Sequence, residues 1–250
     1  MGLTINWDLG NVLLTSITGY TDLEWYDIAD FDGSPLAIGH ENEDTYYDGF
    51  SQELRLTSEG ESAFQWIVGG FFFDDTTDYI MLIDLTDLYF LYGYPRAGSF
   101  SGVDTGYGYQ NDYILDLTSW AAFAQTTYAW TDKLVTTHGI RYSSDKLHLR
   151  RYTAAFTEFP RYSVTSYADP SLHEDYGAGT RTDTEKTFAE FTFRLAVEYA
   201  LRDDLLLYAS ISSGYKAGLI ALGGPNEGRT VDPETVISYE TGIKSRFFDN

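Results

Sequence analysis

The chain has 250 residues and a formal net charge of −22. That acidic balance excludes a nucleic-acid surface, which needs a basic footprint, and with no cysteine there is neither a disulfide nor a thiolate metal site. An aromatic content of 17% needs surface to pack on and argues against intrinsic disorder.

No stretch crosses a bilayer as a helix. The most extended apolar run, Ala63 to Phe73, is interrupted by Gln65, and about 20 apolar residues are required. A mean hydropathy of −0.26 reads as soluble, but a membrane β-strand needs only about 10 residues with every second one apolar and so escapes a hydropathy average. No basic and apolar leader follows Met1, so an exported protein is expected to begin elsewhere.

Alternation of apolar and polar residues recurs about nine times, the mark of half-buried strands. Leu3, Ile5, Trp7 and Leu9 alternate with Thr4, Asn6 and Asp8. Gly10-Asn11 makes a turn, and Val12 to Tyr26 returns, with Ser and Thr on both faces. After an acidic loop, Phe50 to Thr57 sets Gln52, Leu54 and Leu56 against Glu53 and Arg55. Ser58 to Ser62 turns into Phe64–Asp74, where Trp66, Val68 and Phe72 share a face. A long Tyr-, Asp- and Gly-rich stretch runs to about Asp112. Trp120 to Trp130 is the fifth strand, Thr131-Asp132-Lys133 its turn, and Leu134 to about Leu149 the sixth. A loop to about Asp183 precedes the clearest pattern, Phe191, Phe193, Leu195, Val197 and Tyr199 against Glu190, Thr192, Arg194, Ala196 and Glu198. Arg202-Asp203-Asp204 turns into Leu205–Lys216. After a Gly/Pro loop, Val236 to Phe248 sets Ile237, Tyr239, Thr241, Ile243 and Phe247 opposite Ser238, Glu240, Lys244 and Arg246.

Connections alternate between short turns, near residues 10, 60, 132 and 203, and long loops, near 32–48, 80–114, 151–184 and 218–234. Outer-membrane barrels show this asymmetry of short periplasmic turns and long extracellular loops. The polar faces carry full charges: Glu53, Arg55, Glu190, Arg194, Glu198, Glu240, Lys244 and Arg246. Aromatics stand at strand ends beside the short turns, at Tyr128, Trp130, Tyr199 and Phe247, where an interfacial girdle needs them. The expected fold is all-β: an antiparallel up-and-down transmembrane β-barrel, incomplete at about nine strands. The first strand runs toward a short turn, which places Met1 on the outer side, and nine is odd where such barrels have even counts. Further strands are therefore expected at both ends.

The series Ser16-Ile-Thr-Gly-Tyr20, Phe50-Ser-Gln-Glu-Leu-Arg-Leu-Thr57, Ala122-Phe-Ala-Gln125 with Tyr128, and Gly139-Ile-Arg-Tyr142 leads to two longer matches. These are Tyr208-Ala-Ser-Ile-Ser-Ser-Gly-Tyr-Lys-Ala-Gly218 and Val231-Asp-Pro-Glu-Thr-Val-Ile-Ser-Tyr-Glu-Thr-Gly-Ile-Lys-Ser-Arg-Phe-Phe-Asp-Asn250. Together they strongly resemble the barrel of TonB-dependent receptors, in the family's order over nearly the whole chain. The resemblance implies that residues 1–250 are part of a barrel of about 22 strands closed around an N-terminal plug, here absent. It implies a Gram-negative outer membrane, contact with lipid and lipopolysaccharide, and TonB-driven uptake of a scarce small molecule such as a ferric siderophore. The TonB complex would be reached through the missing plug.

Candidate chemistry is sparse. His40, His138, His148 and His173 show no metal-ligand spacing; His138 falls on an apolar face, and His40 and His173 lie in acidic loops, as solvated groups or as iron-chelate contacts. Glu41-Asn-Glu-Asp44 and Asp74-Asp-Thr-Thr-Asp78 are either a solvated acidic surface or divalent-cation ligands. Gly106-Tyr-Gly108 lacks the third glycine of a nucleotide loop. Glu190 and Glu198 would stand about 27 Å apart on one strand, too far for an acid–base pair. The chain is read as not an enzyme, with no cofactor, no metal and no nucleic-acid partner. The charged row of the polar faces is expected to line a lumen, bridging to a plug or across the wall, or marking a ligand path. Tyr89, Phe90, Tyr92, Tyr94, Tyr107 and Tyr109 are expected in outer loops, as a ligand platform or as loop packing. Rival readings are a passive porin or channel and a surface β-structure for adhesion.

Overall fold

The computed structural model describes residues 1–30, 33, 39–85, 105–160, 180–222 and 228–246. Its strands are β1 (Gly2–Asp8), β2 (Val12–Asp30), β3 (His40–Ser58), β4 (Phe64–Asp84), β5 (Thr105–Ala129), β6 (Leu134–Pro160), β7 (Thr180–Arg202), β8 (Leu205–Lys216), β9 (Leu219–Ile220), β10 (Thr230–Val231) and β11 (Glu234–Ser245). Nine of them form one sheet in the order β1-β2-β3-β4-β5-β6-β7-β8-β11, while β9 and β10 pair separately. Every pairing is antiparallel, and the described residues contain no helix. The sheet does not close among the described residues, so β1 and β11 are its edges.

The short turns form where local side chains satisfy the reversing backbone. The Gly10 N–H donates to Asp8 Oδ1 at 2.7 Å, and Gly10 has φ 93°, a left-handed value that glycine adopts without steric cost. At the second turn Gln65 Nε2 donates to the carbonyls of Gly60 (2.8 Å) and Ser62 (2.9 Å). At the third, Thr131 Oγ1 accepts from the Leu134 N–H at 3.0 Å.

Register assigns the faces. Antiparallel partners lie on the same side of a sheet, so Phe64, Trp66, Val68 and Phe72 share a face with Tyr128, Ala124 and Trp120 of β5. Ile140 and Tyr142 of β6 and Phe191, Leu195, Val197 and Tyr199 of β7 continue it. We call this the belt face. Its large apolar side chains are exposed, among them Leu3, Ile5, Trp7, Leu54, Val68, Ile140 and Leu195. Aromatics bound it at both ends. Near the short turns stand Phe64, Tyr128 and Trp130, with ring centroids 6.4 Å and 4.7 Å apart in sequence. At the other end Phe50 meets Phe72 (6.5 Å) and Trp120 meets Tyr142 (5.4 Å). Phe64 to Phe72, Tyr128 to Trp120 and Tyr199 to Phe191 each span eight residues. At about 3.4 Å per residue and a tilt of about 40°, that is a band roughly 21 Å tall.

The face assignment of β2, which its own composition leaves open, follows from its partners. Leu14, Ser16, Thr18 and Tyr20 join the belt face through Leu56, Leu54, Gln52 and Phe50. The one amide there is satisfied: Thr18 Oγ1 donates to Gln52 Oε1 at 2.7 Å, and Gln52 Nε2 donates to Ser16 Oγ at 3.0 Å.

The strands run much further than expected. β5 has 25 residues and β6 has 27, against about 10 for a bilayer crossing. The expected loops 32–48, 80–114 and 151–184 are strand at their ends, because β3 begins at His40, β4 ends at Asp84, β5 begins at Thr105, β6 ends at Pro160 and β7 begins at Thr180. Tyr, Thr and alternating Asp in these stretches suit a solvated antiparallel ladder as well as a loop. The expected loop 218–234 also contains structure, the β9–β10 pair.

Close approach explains one of two adjacent glycines. A Cβ on Gly69 would stand 2.5 Å from the Phe123 ring and 2.8 Å from the Leu54 carbonyl oxygen, whereas one on Gly70 meets nothing nearer than 3.7 Å. Phe123 lies across the strand from Gly69 and fills the missing side chain's place, a packing device of curved sheets. Gly69→Ala should therefore cost about 1–3 kcal/mol and Gly70→Ala well under about 1 kcal/mol, as read from urea unfolding in detergent or lipid.

Candidate functional site

The face opposite the belt carries the charged row. Glu53 and Arg55 of β3 point there and pair at 3.3 Å. Glu198 is the register partner of Tyr208, whose hydroxyl donates to Glu240 at 2.9 Å; Lys244 Nζ sits 5.1 Å from the same ring. Gly242, opposite Tyr208, leaves room for the ring, since a Cβ would lie 2.5 Å from it. Glu198, Tyr208, Glu240 and Lys244 thus gather at one place. Glu190 stands opposite Ser143, and Arg194 opposite Gly139 and Ser212; these two are not brought into the group. Arg246 follows β11, its N–H donating to the Asp204 carbonyl at 3.0 Å.

Further from the short turns the same face changes character. Leu147, Leu149, Phe188 and Ile220 form a buried cluster, with Tyr113, Leu115, Leu117, Tyr215 and Leu222 packed against it. This part of the face is apolar, unlike the charged row nearer the short turns. Above the band, apolar alternation moves to the opposite parity: even-numbered Ile140 and Tyr142 give way to odd-numbered Leu147 and Leu149, and Trp120 gives way to Leu117 and Leu115. That change of phase was the available signal. Beyond the cluster, Tyr79 and Tyr113 stack at 4.8 Å and 22°. The Tyr79 hydroxyl donates to Glu43, Tyr47 donates to Asp75 at 3.2 Å, and Arg151 Nε donates to Asn111 at 2.6 Å. Burial first, then the Glu43 carboxylate, pushes the Tyr79 phenol above its ordinary range.

The belt face also changes above the band, into charge. Thr118 Oγ1 donates to Asp74 at 2.7 Å, Arg150 pairs with Asp116 at 2.7 Å, Lys146 with Glu185 at 2.9 Å, and His148 Nε2 contacts Asp183 at 2.8 Å. His138 lies within the band on the belt face, against Thr126 and Leu195. His40 opens β3, and His173 lies outside the described residues. Strand alternation splits both acidic motifs between faces: Glu43 and Asp75 meet tyrosines on one side, while Asp74 and Asp78 point to the other. No group of three or more His, Asp or Glu able to hold a metal ion occurs among the described residues.

Of the interface aromatics, Tyr128, Trp130 and Tyr199 are exposed at the short-turn end, and Phe247 lies outside the described residues. Tyr89, Phe90, Tyr92 and Tyr94 also lie outside them. Tyr107 and Tyr109 are corrected from loop to strand, since β5 begins at Thr105.

A nine-stranded antiparallel sheet with short turns, an aromatic-bounded apolar band and strands extending on one side has a counterpart among family models. The model described as TonB dependent receptor-like, beta-barrel matches residues 1–250. The chain belongs to this family. Its fold is similar to the crystal structure of the ferric yersiniabactin uptake receptor FyuA from Yersinia pestis, with a TM-score of 0.73 and 15% identity over 98% of this chain and 33% of that one. The copper transporter OprC matches at a TM-score of 0.43 and 12% identity, over 96% of this chain and 36% of that one. The chain thus spans about a third of the length of the structures it matches.

One carboxyl of the outward extension is set to titrate near neutrality. Asp112, 1% exposed, is eight residues beyond Trp120 and outside the band. Burial, then the charge of Asp78, raises it from 3.8 to about 7 against a hydrogen bond from Gln110 that lowers it. A carboxyl raised on folding leaves stability intact below the unfolded value and removes it as pH rises toward the folded one. Protease resistance of β5 beyond Trp120 should therefore fall between about pH 4 and 7 and level off above that range. Asp112→Asn should flatten this slope.

Proposed function

We propose that this chain forms wall and outer extension of an outer-membrane receptor in a Gram-negative bacterium, which takes up a scarce chelated metal, a ferric siderophore first among the candidates. Uptake would be energised through the TonB complex. The observation that carries the reading is the apolar band bounded by two aromatic girdles on one face only. Lipid hydrocarbon fits that face, because β2 to β6 each have a paired neighbour on both sides across the band, as a bilayer demands of its strand N–H and C=O groups. The charged ladder above the outer girdle, from Asp74 and Lys146 to Arg150 and Asp183, suits the headgroup region and lipopolysaccharide.

The opposite face then becomes the lumen. Glu53, Arg55, Glu190, Arg194, Glu198, Glu240, Lys244 and Arg246 would meet a plug domain or line the ligand's path. The plug would carry the contact with TonB. The iron-chelate reading is supported by family membership and by the fold shared with a ferric yersiniabactin receptor. The chemistry of the ligand itself would be set by the outer extension.

Two measurements test these levels separately. Val68 is the midpoint of the band on β4, so Val68→Arg should destabilise the inserted barrel by about 2–4 kcal/mol, as charges do at the midplane. Glu198→Arg, on the polar face, should change stability by no more than about 0.5 kcal/mol. Equal costs would overturn the assignment of the lipid face. Deleting the gene should slow growth under iron limitation on at least one supplied ferric siderophore, with recovery on complementation. Unchanged growth on every siderophore tried, alongside the expected Arg effects, would sink the iron reading and leave the barrel standing.

A further inference from the structure

The segment between β8 and β11 is not a free outer loop. Leu219 and Ile220 pair with Val231 and Thr230, and the pairing continues through Ala221 N–H to Arg229 O and Gly228 N–H to Ala221 O, both 2.9 Å. This short hairpin lies flat on the face that the proposed function assigns to the lumen. Ile220 is 3% exposed, and it seals Leu149 at 0% and Phe188 at 5%. Leu222 packs on the same cluster.

Both ends of the hairpin fit the wall closely. A Cβ on Gly218 would stand 2.5 Å from the Phe188 ring and would meet the Val231 carbonyl as well. Gly228 has a φ of +70°, and its Cβ position would fall 2.7 Å from Thr182 Cγ2. Glycine at these two points lets the hairpin backbone lie directly against β7. The hairpin's other face is uncovered: Leu219 is 48% exposed and Val231, its partner, 50% exposed.

We propose that residues 218–222 and 228–231 are a fixed strap, a permanent part of the inner wall that stays docked through the transport cycle and presents Leu219 and Val231 to the lumen. The assignment of that side to the lumen rests on the proposed function; the docking does not. An outer lid would need a face that leaves water only part of the time. Here the docked segment sets Ile220 and Leu222 into a buried apolar cluster, so undocking would expose Leu149, Phe188 and Ile220 together. The strap therefore narrows the passage at the height of Leu149, and any ligand that passes there meets an aliphatic pair rather than the charged row below it.

These 250 residues contain no cysteine, so a single introduced thiol is the only one among them, and labelling of the unsubstituted receptor gives the background to subtract. Leu219→Cys and Ile220→Cys would be placed one at a time in the complete receptor and treated on intact cells with a membrane-impermeant maleimide, with and without a protonophore. The expected result is that Cys at 219 reacts at least about ten-fold faster than Cys at 220, in both energy states, as a docked segment requires. Equal rates at the two positions, or acceleration at 220 in energised cells, would overturn the strap. If the protein is not in the outer membrane, fractionation shows it directly, and the ratio measured on the extracted protein still decides the docking. A second variant avoids any loosening by the 220 substitution. Thr182→Cys with Gly228→Cys places Cβ positions 4.0 Å apart, within disulfide range, although the left-handed backbone at 228 disfavours any side chain there. A fixed strap should cross-link nearly completely, with growth on the supplied siderophore the same before and after reduction. Growth restored only by reductant would show a moving lid.

Discussion

The structure depends on one requirement: each backbone N–H and C=O within the apolar band must bond to a neighbouring strand. In water an edge or an irregular stretch can be solvated, but in hydrocarbon each orphaned group costs several kcal/mol, so only a continuous ladder is tolerated. The register from β2 to β6 is accordingly unbroken across the band. Its register shift lies outside the band, at Gly106/Gly108 in the outer extension; the β7–β8 ladder, registered from Arg194↔Ser212 downward, shifts at Ala200/Arg202 beside a short turn. A fixed register with a side-chain period of two then assigns every residue to one face. The apolar belt face and the charged face opposite are both consequences of that ladder.

The two faces solve different problems with the same device. On the belt face, aromatic rings pair across strands at the two edges of the band, where an amphipathic ring has both an apolar and a wet neighbour. On the opposite face, Phe123 over Gly69 and Tyr208 over Gly242 bring a ring against bare backbone, and each ring carries a cation beside it, Arg141 at 5.9 Å and Lys244 at 5.1 Å. Phenols also stand in for scarce cations. With 38 acidic residues against 16 basic ones, many carboxylates have no ion-pair partner available, and tyrosine hydroxyls at positions 47, 79, 208 and 215 donate to them instead.

Above the band the constraint relaxes and the packing inverts. Water is again present on the belt face, so Asp74, Asp116, Lys146 and Arg150 occupy positions in line with Phe72, Trp120 and Tyr142. The face opposite the belt can then bury apolar residues, because the hairpin of residues 218–222 and 228–231 supplies a second layer over β6 and β7. A single layer of sheet has no core of its own; Leu149 is buried in a cluster that Ile220 and Leu222 of the second layer help to build.

Period-two alternation was enough to locate the nine strands through the band, the four short turns and the polar face bearing Glu53, Arg55, Glu190, Arg194, Glu198, Glu240 and Lys244, because within the band every second residue of each strand keeps to one face. The motif series was enough to indicate the family. Outside the band the code weakens: Tyr, Thr and Asp suit a solvated strand or a loop equally, so the extensions that carry Tyr107 and Tyr109 were read as loops. The faces of β2 needed its partners, since Ser and Thr occupy both. Most of all, the docking of residues 218–222 and 228–231 onto Leu149 and Phe188 was invisible in one dimension. It depends on contacts between segments distant in sequence, and a short Gly/Pro-rich stretch has no periodicity from which to read which wall it will cover. The residues themselves determined a two-faced sheet whose apolar phase shifts beyond the band; only the tertiary structure decided what covers the apolar part of the face opposite the belt.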